Sequence, residues 1–288
     1  MNDNFYKNII NLLNNSDIRF YTTEIRPVKF EGEIKNVTMV FSEVLNMGPT
    51  PLSKTPVISC LIVFTLFDAY LENKYSMSPG MSFKRKYNAL PFVTNQDIIE
   101  KECYRLMKTI RNGFVHNIDA IVSINNLLHF NYTSPQGTQF NLDISSDNLK
   151  LLYSIILILV KGKYEIETEG HFQNVICTYY GKLKNYVDED GNFTDDIGVG
   201  GTATSSNLIP IGFYTQLKTA VRYPVVNPKY DISEGRINIR SIYNPGSQYY
   251  SVDYCVKCNN KKYIIPQEIL DNNNSLSISD LSIWEVSK

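Results

Sequence analysis

Arg111-Asn112-Gly113-Phe114-Val115-His116, with Asn117 directly after it, closes a segment whose apolar residues recur at helical spacing. Ile98, Ile99, Cys103, Leu106, Met107 and Ile110 fit a period of about 3.6, and Asn95 or Asp97 can cap the start. The segment therefore carries a permanently charged guanidinium and a titratable imidazole, with an amide beside the first. By helical arithmetic, side chains at i and i+5 point about 140° apart. One chain converges them poorly, and two copies about a twofold axis would do it better. Gly113 disfavours a helix interior by about 1 kcal/mol against alanine, so it marks a bend or a close approach of a partner chain or phosphate. A plainer reading stays open, in which Arg111 and His116 are cations favoured by a helix C-terminus that Gly113 ends.

Upstream, Thr55 can cap a helix with Pro56 at its first position, running to about Lys74. Asp68 and Glu72 are an i,i+4 acidic pair near its end. Ser82–Leu90 is a short basic amphipathic piece. Residues 4–14 pattern as a helix, Ile18–Val28 alternates as a strand, and Ile34, Val37, Phe41, Val44 and Leu45 predict a helix from Glu31 to Asn46. Downstream, Asn125–Tyr132 and Thr138–Ile144 form a hairpin around Ser134-Pro135-Gln136-Gly137. Helices follow at about 147–161 and 168–186. Arg236–Ile242, Tyr249–Lys257 and Lys262–Ile265 alternate as strands, the last two joined by Asn259-Asn260.

The 288 residues, 43% hydrophobic and 20% charged, suit one large or two modest globular domains. A net charge of −1 excludes a global field for nucleic acid or membrane. Locally the picture differs: Lys74 to Arg111 carries eight cations against three anions, whereas Asp188–Asp196 carries five anions and no cation. A polyanion can be bound by the basic stretch, and whether the acidic one covers it is open. No secretory leader is expected from MNDNFYKNII, and the apolar runs Val57–Phe67 and Leu151–Val160 are too short to span a bilayer, so a reducing cytoplasm is the expected setting.

The motif and its setting resemble the HEPN domain, a helical nucleotide-binding and ribonuclease domain. Its active members carry Arg, four to six residues, then His, with a polar residue after the Arg; Arg111, Asn112 and His116 fit this. The likeness covers about residues 50–165. It implies a mainly α fold: a HEPN-like helical bundle with an inserted β-hairpin, and a smaller β-rich (α+β) C-terminal part. The expected divisions are 1–48 as an extension, 49–187 as the helical domain, 188–206 as a linker and 207–288 as the β-rich part. The resemblance implies a homodimer that cleaves single-stranded RNA without metal or cofactor, as a toxin or antiphage effector with a cognate inhibitor or defence partner. His116 would be general base or acid, Arg111 the phosphate clamp, Asn112 an orienting residue and Asp68 a supporting one. Lys84, Arg85, Lys86 and Lys108 would follow the RNA backbone, unless Lys84–Lys86 is only a solvated face. The alternatives are an inactive HEPN-like nucleotide- or RNA-binding module and a helical scaffold.

Other signals are weaker. Cys255-x-x-Cys258 is half of a zinc knuckle with no second pair, and favours two small strand residues. Gly198-Val199-Gly200-Gly201 lacks the Lys-Ser/Thr of a phosphate loop. His129 and His171 have no partner that spacing identifies.

Overall fold

The computed structural model describes residues 3–30, 33–45, 48–162, 168–189, 193–197, 204–205, 207–218, 221–244 and 250–286. Its contacts divide the chain into two compact units that interleave in sequence. The first holds 1–21, 44–160 and 176–212, and the second holds 22–43, 161–175 and 213–288. The expected extension, 1–48, thus contributes to both.

In chain order the elements are α1 (Asp3–Asn14), β1 (Arg19–Phe30), β2 (Glu33–Leu45), α2 (Pro56–Lys74), α3 (Phe83–Ala89), α4 (Asn95–His116), β3 (Ile121–Ile124), β4 (Leu127–Thr133), β5 (Gln139–Ser145), α5 (Ser146–Lys161) and α6 (Glu169–Glu189). Then come β6 (Thr194–Asp195), β7 (Thr204–Ser205), β8 (Val221–Val225), β9 (Tyr230–Ser233), β10 (Arg236–Ile239), β11 (Tyr250–Cys258), β12 (Lys261–Pro266) and β13 (Ser275–Ser277).

The first unit is built on α4. A capping box starts it: Thr94 Oγ1 accepts from Asp97 N at 3.1 Å, and Asp97 returns the bond to Thr94 N at 2.9 Å. The six apolar positions expected to face inward are all buried. One side of α4 packs on α2 and α3, and its last turns pack on β4 and β5. β3 to β7 form one sheet in sequential order, with β4 and β5 paired from Leu127–Ser145 to Thr133–Gln139. In α5, Leu149 and every residue from Leu151 to Leu159 are buried, so its near-continuous apolar run reflects burial on all sides.

The second unit is mainly β. β11 pairs parallel with β8 and antiparallel with β12, and β10 lies between β9 and β13. Ile237, Val252, Tyr254, Val256, Ile265 and Trp284 centre its core. Asn259 and Asn260 turn β11 into β12 with φ of 50° and 62°, the left-handed pair that a two-residue hairpin needs.

Three expectations change. The architecture is a mixed α+β fold and not a mainly α one with a small β part, because strands build sheets in both units. The expected helix at 31–46 is largely strand β2, which forms a two-stranded sheet with β1. Its apolar residues do fall near helical spacing, but Ile34, Val37, Thr38, Val40 and Val44 are β-branched and stiff, and an adjacent strand supplies the pairing. Finally, α2 is a continuous helix of 19 residues, long and apolar enough by length and composition to cross a membrane. Here Cys60, Val63, Leu66, Phe67 and Leu71 are buried in the unit.

The basic stretch is also weaker than its count. Lys74 pairs with fully buried Glu100 at 2.7 Å, and Lys86 with Asp68 at 2.7 Å and Glu72 at 2.6 Å. Arg105 pairs with Glu102 at 3.0 Å and Asp195 at 2.5 Å, and Lys108 pairs with Asp196. Four of the eight cations are thus neutralised internally, and the field offered to a polyanion is correspondingly small.

Candidate functional site

The motif occupies the last two turns of α4, which runs through Gly113 to His116. Gly113 does not end the helix; its carbonyl accepts from Asn117 N at 3.0 Å, and Asn117 leaves helical geometry at φ −142°, ψ 42°. The reason for glycine is the sheet beneath. A Cβ there would stand 2.5 Å from Phe130 Cδ1 and 3.1 Å from Cε1. Phe130 is buried and meets Phe114 edge-on at 5.2 Å, so it has little room to yield. Gly113→Ala should therefore destabilise the fold by up to about 2 kcal/mol. Helix propensity returns about 1 kcal/mol, and overpacking costs about 1–3. Denaturant midpoints check this, and a higher midpoint for the variant would refute the close-approach account.

Arg111 and His116 converge within a single chain. Nη1 of Arg111 lies 3.0 Å from His116 Nε2, and donates to Asn112 Oδ1 at 2.9 Å. The 140° separation applies to the Cβ directions, and the long arginine stem reaches across it while His116 sits at the fraying end. A guanidinium has only donors, so Nε2 must be the acceptor. The contact is a hydrogen bond only in the tautomer that carries its proton on Nδ1. Asn117 Nδ2 donates to the Asn112 carbonyl at 3.3 Å, which ties the turn together. His116 is exposed, and Arg111 and Asn112 are half-buried. Burial pushes the Cys60 thiol up to about 12 against the lowering by a Tyr153 hydrogen bond and the Arg111 charge, so Cys60 is no thiolate nucleophile.

Beside the motif is a cleft of about 550 Å³ lined by residues that include Lys108, Asn112, His116, Asn117, Gln136 and Asp196. The β4–β5 turn, Ser134-Pro135-Gln136, forms its rim. Lys108 is nearly buried, with Nζ 4.7 Å from the centre of the Phe83 ring and 4.8 Å from that of Phe140. Tyr132 Oη donates to the Thr109 carbonyl at 3.0 Å, which fixes the cleft floor to α4. Burial, helped by the Asp196 and Asp195 charges, raises its phenol above the ordinary 10.0, so it stays neutral.

Asn112, His116 and Lys108 thus line one cleft, and Arg111, which does not line it, joins them through its contacts to Asn112 and His116. Asp68 does not join them. It accepts from Lys86 Nζ at 2.7 Å and Tyr104 Oη at 2.6 Å, in a cluster that also holds Glu72. Lys86 is buried there. Desolvation opposes its charge, but hydrogen bonds and charges of Asp68 and Glu72 outweigh it and raise its pKa, so it is a structural cation and not an RNA contact. Lys84 and Arg85 are exposed. His129, for which spacing identified no partner, pairs across the strands with Asp143 at 2.8 Å. Gln136 and Asp196 were missed as cleft residues; the opposed charges of 74–111 and 188–196 were the signal for the second. Among the described residues no cluster of three or more His, Cys, Asp or Glu could hold a metal, and none of the five cysteines is in a disulfide. The Gly198–Gly201 stretch lies outside the described residues. No protein-family model, curated protein or solved structure matches the chain.

Proposed function

We propose that this protein is a metal-independent endoribonuclease acting on single-stranded RNA through Arg111, Asn112 and His116. The observation that carries the reading is the 3.0 Å contact between Arg111 Nη1 and His116 Nε2, with His116 lining a cleft that also holds Lys108. The pair is a resting state. An incoming phosphate offers the guanidinium an anionic, fork-matched acceptor that neutral imidazole cannot equal. Arg111 turns to it, and Nε2 is released with its lone pair available.

The neutral imidazole then takes the proton of the ribose 2′-OH. The 2′-oxygen bonds to the adjacent phosphorus as the P–O5′ bond breaks, and Arg111 stabilises the charge gathering on the phosphoryl oxygens. The departing 5′-oxygen needs a proton, which the same residue of a second copy can give if its imidazole is protonated. Exposed Val115, Ile118, Val122 and Ile124, close to His116 in sequence, supply apolar surface suited to such a dimer. The products are a 2′,3′-cyclic phosphate and a 5′-hydroxyl.

The test is the product. Purified protein with excess EDTA should cut an unstructured RNA and leave those ends; RNA left intact, or cut equally when 2′-O-methylated throughout, would refute the reading. One observation favours a second reading, a binding module without chemistry: in the free chain Arg111 holds the His116 acceptor and Asp196 holds Lys108. Tight RNA binding without cleavage would establish that reading instead. As a toxin or antiphage effector, the nuclease would slow growth when expressed, and His116→Ala would relieve it.

A further inference from the structure

We propose that Asp196 is a built-in phosphate mimic, its carboxylate holding the seat on Lys108 that an RNA phosphate takes on entering the cleft. This rests on the ribonuclease reading and adds a regulatory element to the same site. Two neighbouring acids are held very differently. Asp195 is fully buried and bidentate on Arg105, with Oδ2 2.5 Å from Nε and Oδ1 3.0 Å from Nη2. Its Oδ1 also accepts from Ile197 N at 3.1 Å, and its strand β6 pairs with β5 at Asn141. That end is an anchor. Asp196 lies one residue on, in a turn, with 31% of its side chain exposed, and it reaches into the cleft to Lys108.

Lys108 explains why something anionic must sit there. Its side chain is 9% exposed and its ammonium is flanked by two aromatic rings, so leaving it without an anion would bury a bare charge. Carboxylate and phosphodiester offer the same thing, an anionic oxygen at hydrogen-bond range. The carboxylate has the advantage of being tethered, which gives it a high effective concentration. RNA has the advantage of further phosphates and of Arg111 close by on the same helix. A mononucleotide therefore competes poorly with Asp196, and a strand long enough to engage Arg111 and Lys108 together displaces it. The turn thus sets a length threshold for substrates.

The experiment uses the full chain and a short fluorescein-labelled 2′-O-methyl oligonucleotide, which binds but cannot be cut, followed by anisotropy. Asp196→Asn keeps the shape and removes the charge. It should bind about fivefold more tightly at low salt, the scale of one partly exposed ion pair. Its plot of log affinity against log salt should be steeper by about 0.7, one more phosphate contact on a single strand. Adding Lys108→Ala to Asp196→Asn should abolish the gain. Unchanged or weaker binding by a folded Asp196→Asn variant overturns the proposal. If that variant fails to fold, Asp196→Ser is measured in its place; failure of both to fold also overturns it, because a displaceable anion cannot be required for folding. Cleavage of unmodified RNA is followed separately. Tighter binding without cleavage upholds the mimic while sinking the nuclease, and His116-dependent cleavage without tighter binding does the reverse.

Discussion

His116→Ala should lower cleavage of single-stranded RNA by about a hundredfold to ten-thousandfold, the range that a positioned proton-transfer group supplies. Its affinity for a non-cleavable strand should change little, since neutral imidazole contributes no charge to phosphate binding. Arg111→Lys tests the complementary role. Lysine keeps the charge but loses the planar guanidinium, whose Nη1 alone meets both Asn112 Oδ1 and His116 Nε2 and whose fork suits a phosphate. The variant should retain much of the binding and lose about a hundredfold in rate, because one point charge follows the developing phosphoryl charge less well than a fork. The geometry makes the two variants separable: His116 is exposed at the helix end and its removal disturbs no packing, while Arg111 is half-buried beside α2. Circular dichroism and melting should therefore be unchanged for His116→Ala. Undiminished cleavage by both variants would remove the site assignment altogether.

The parts of this arrangement legible in the sequence are those fixed by local rules. α4 was readable because its apolar period and its length agree, although its cap is Thr94 and not the expected Asn95 or Asp97, and the β4–β5 hairpin because Ser134-Pro135-Gln136-Gly137 is turn chemistry between alternating strands. Gly113 was visible as an anomaly, but its cause is a contact between residues 17 apart, the Phe130 ring beneath the helix. The 31–46 segment failed because apolar spacing there is compatible with two periods, and only pairing with β1 decides between them. Charge was the least legible quantity. Counting cations along 74–111 promised a basic surface. Glu72, Asp68, Asp195 and Asp196, all outside that stretch, neutralise part of it through pairings up to 90 residues apart. Convergence of Arg111 and His116 was underestimated for a different reason: azimuths describe where a side chain leaves the helix, not where a flexible one ends.

Arg222→Leu should destabilise the second unit by about 3–5 kcal/mol at neutral pH, the cost of stripping the counterion from buried carboxylates. Arg222 is 1% exposed on β8 and holds two acids at once. Its Nη2 lies 2.7 Å from Asp253 Oδ1 and 2.9 Å from Glu268 Oε2, and Ser251 Oγ donates to Glu268 at 2.6 Å. His171 Nε2 stands 3.6 Å from Asp253, too far for a hydrogen bond, while its Nδ1 meets Thr168 Oγ1 at 2.7 Å. Burial pushes the Asp253 carboxyl up, but the Arg222 charge and hydrogen bonds, with His171 nearby, outweigh it and hold it at about 2 against an ordinary 3.8. Burial likewise opposes, and Arg222 overcomes, the charge of Glu268, whose pKa is lowered. A carboxyl held low in the folded state stabilises it above its unfolded pKa, and that contribution fades as pH falls through the folded value. For Asp253 it amounts to about 2 kcal/mol, full above about pH 4 and lost toward pH 2. In Arg222→Leu burial is opposed only by His171 near Asp253 and by the Ser251 bond to Glu268, so both carboxyls shift toward the neutral form and the variant should gain stability as pH falls from 7 toward 4. The gap between wild type and variant should therefore narrow on acidification. Amide exchange along Tyr250–Cys258 from pH 7 to 4 measures it within this unit alone. A gap that stays constant over that range would mean that Arg222 contributes through packing and not through its charge.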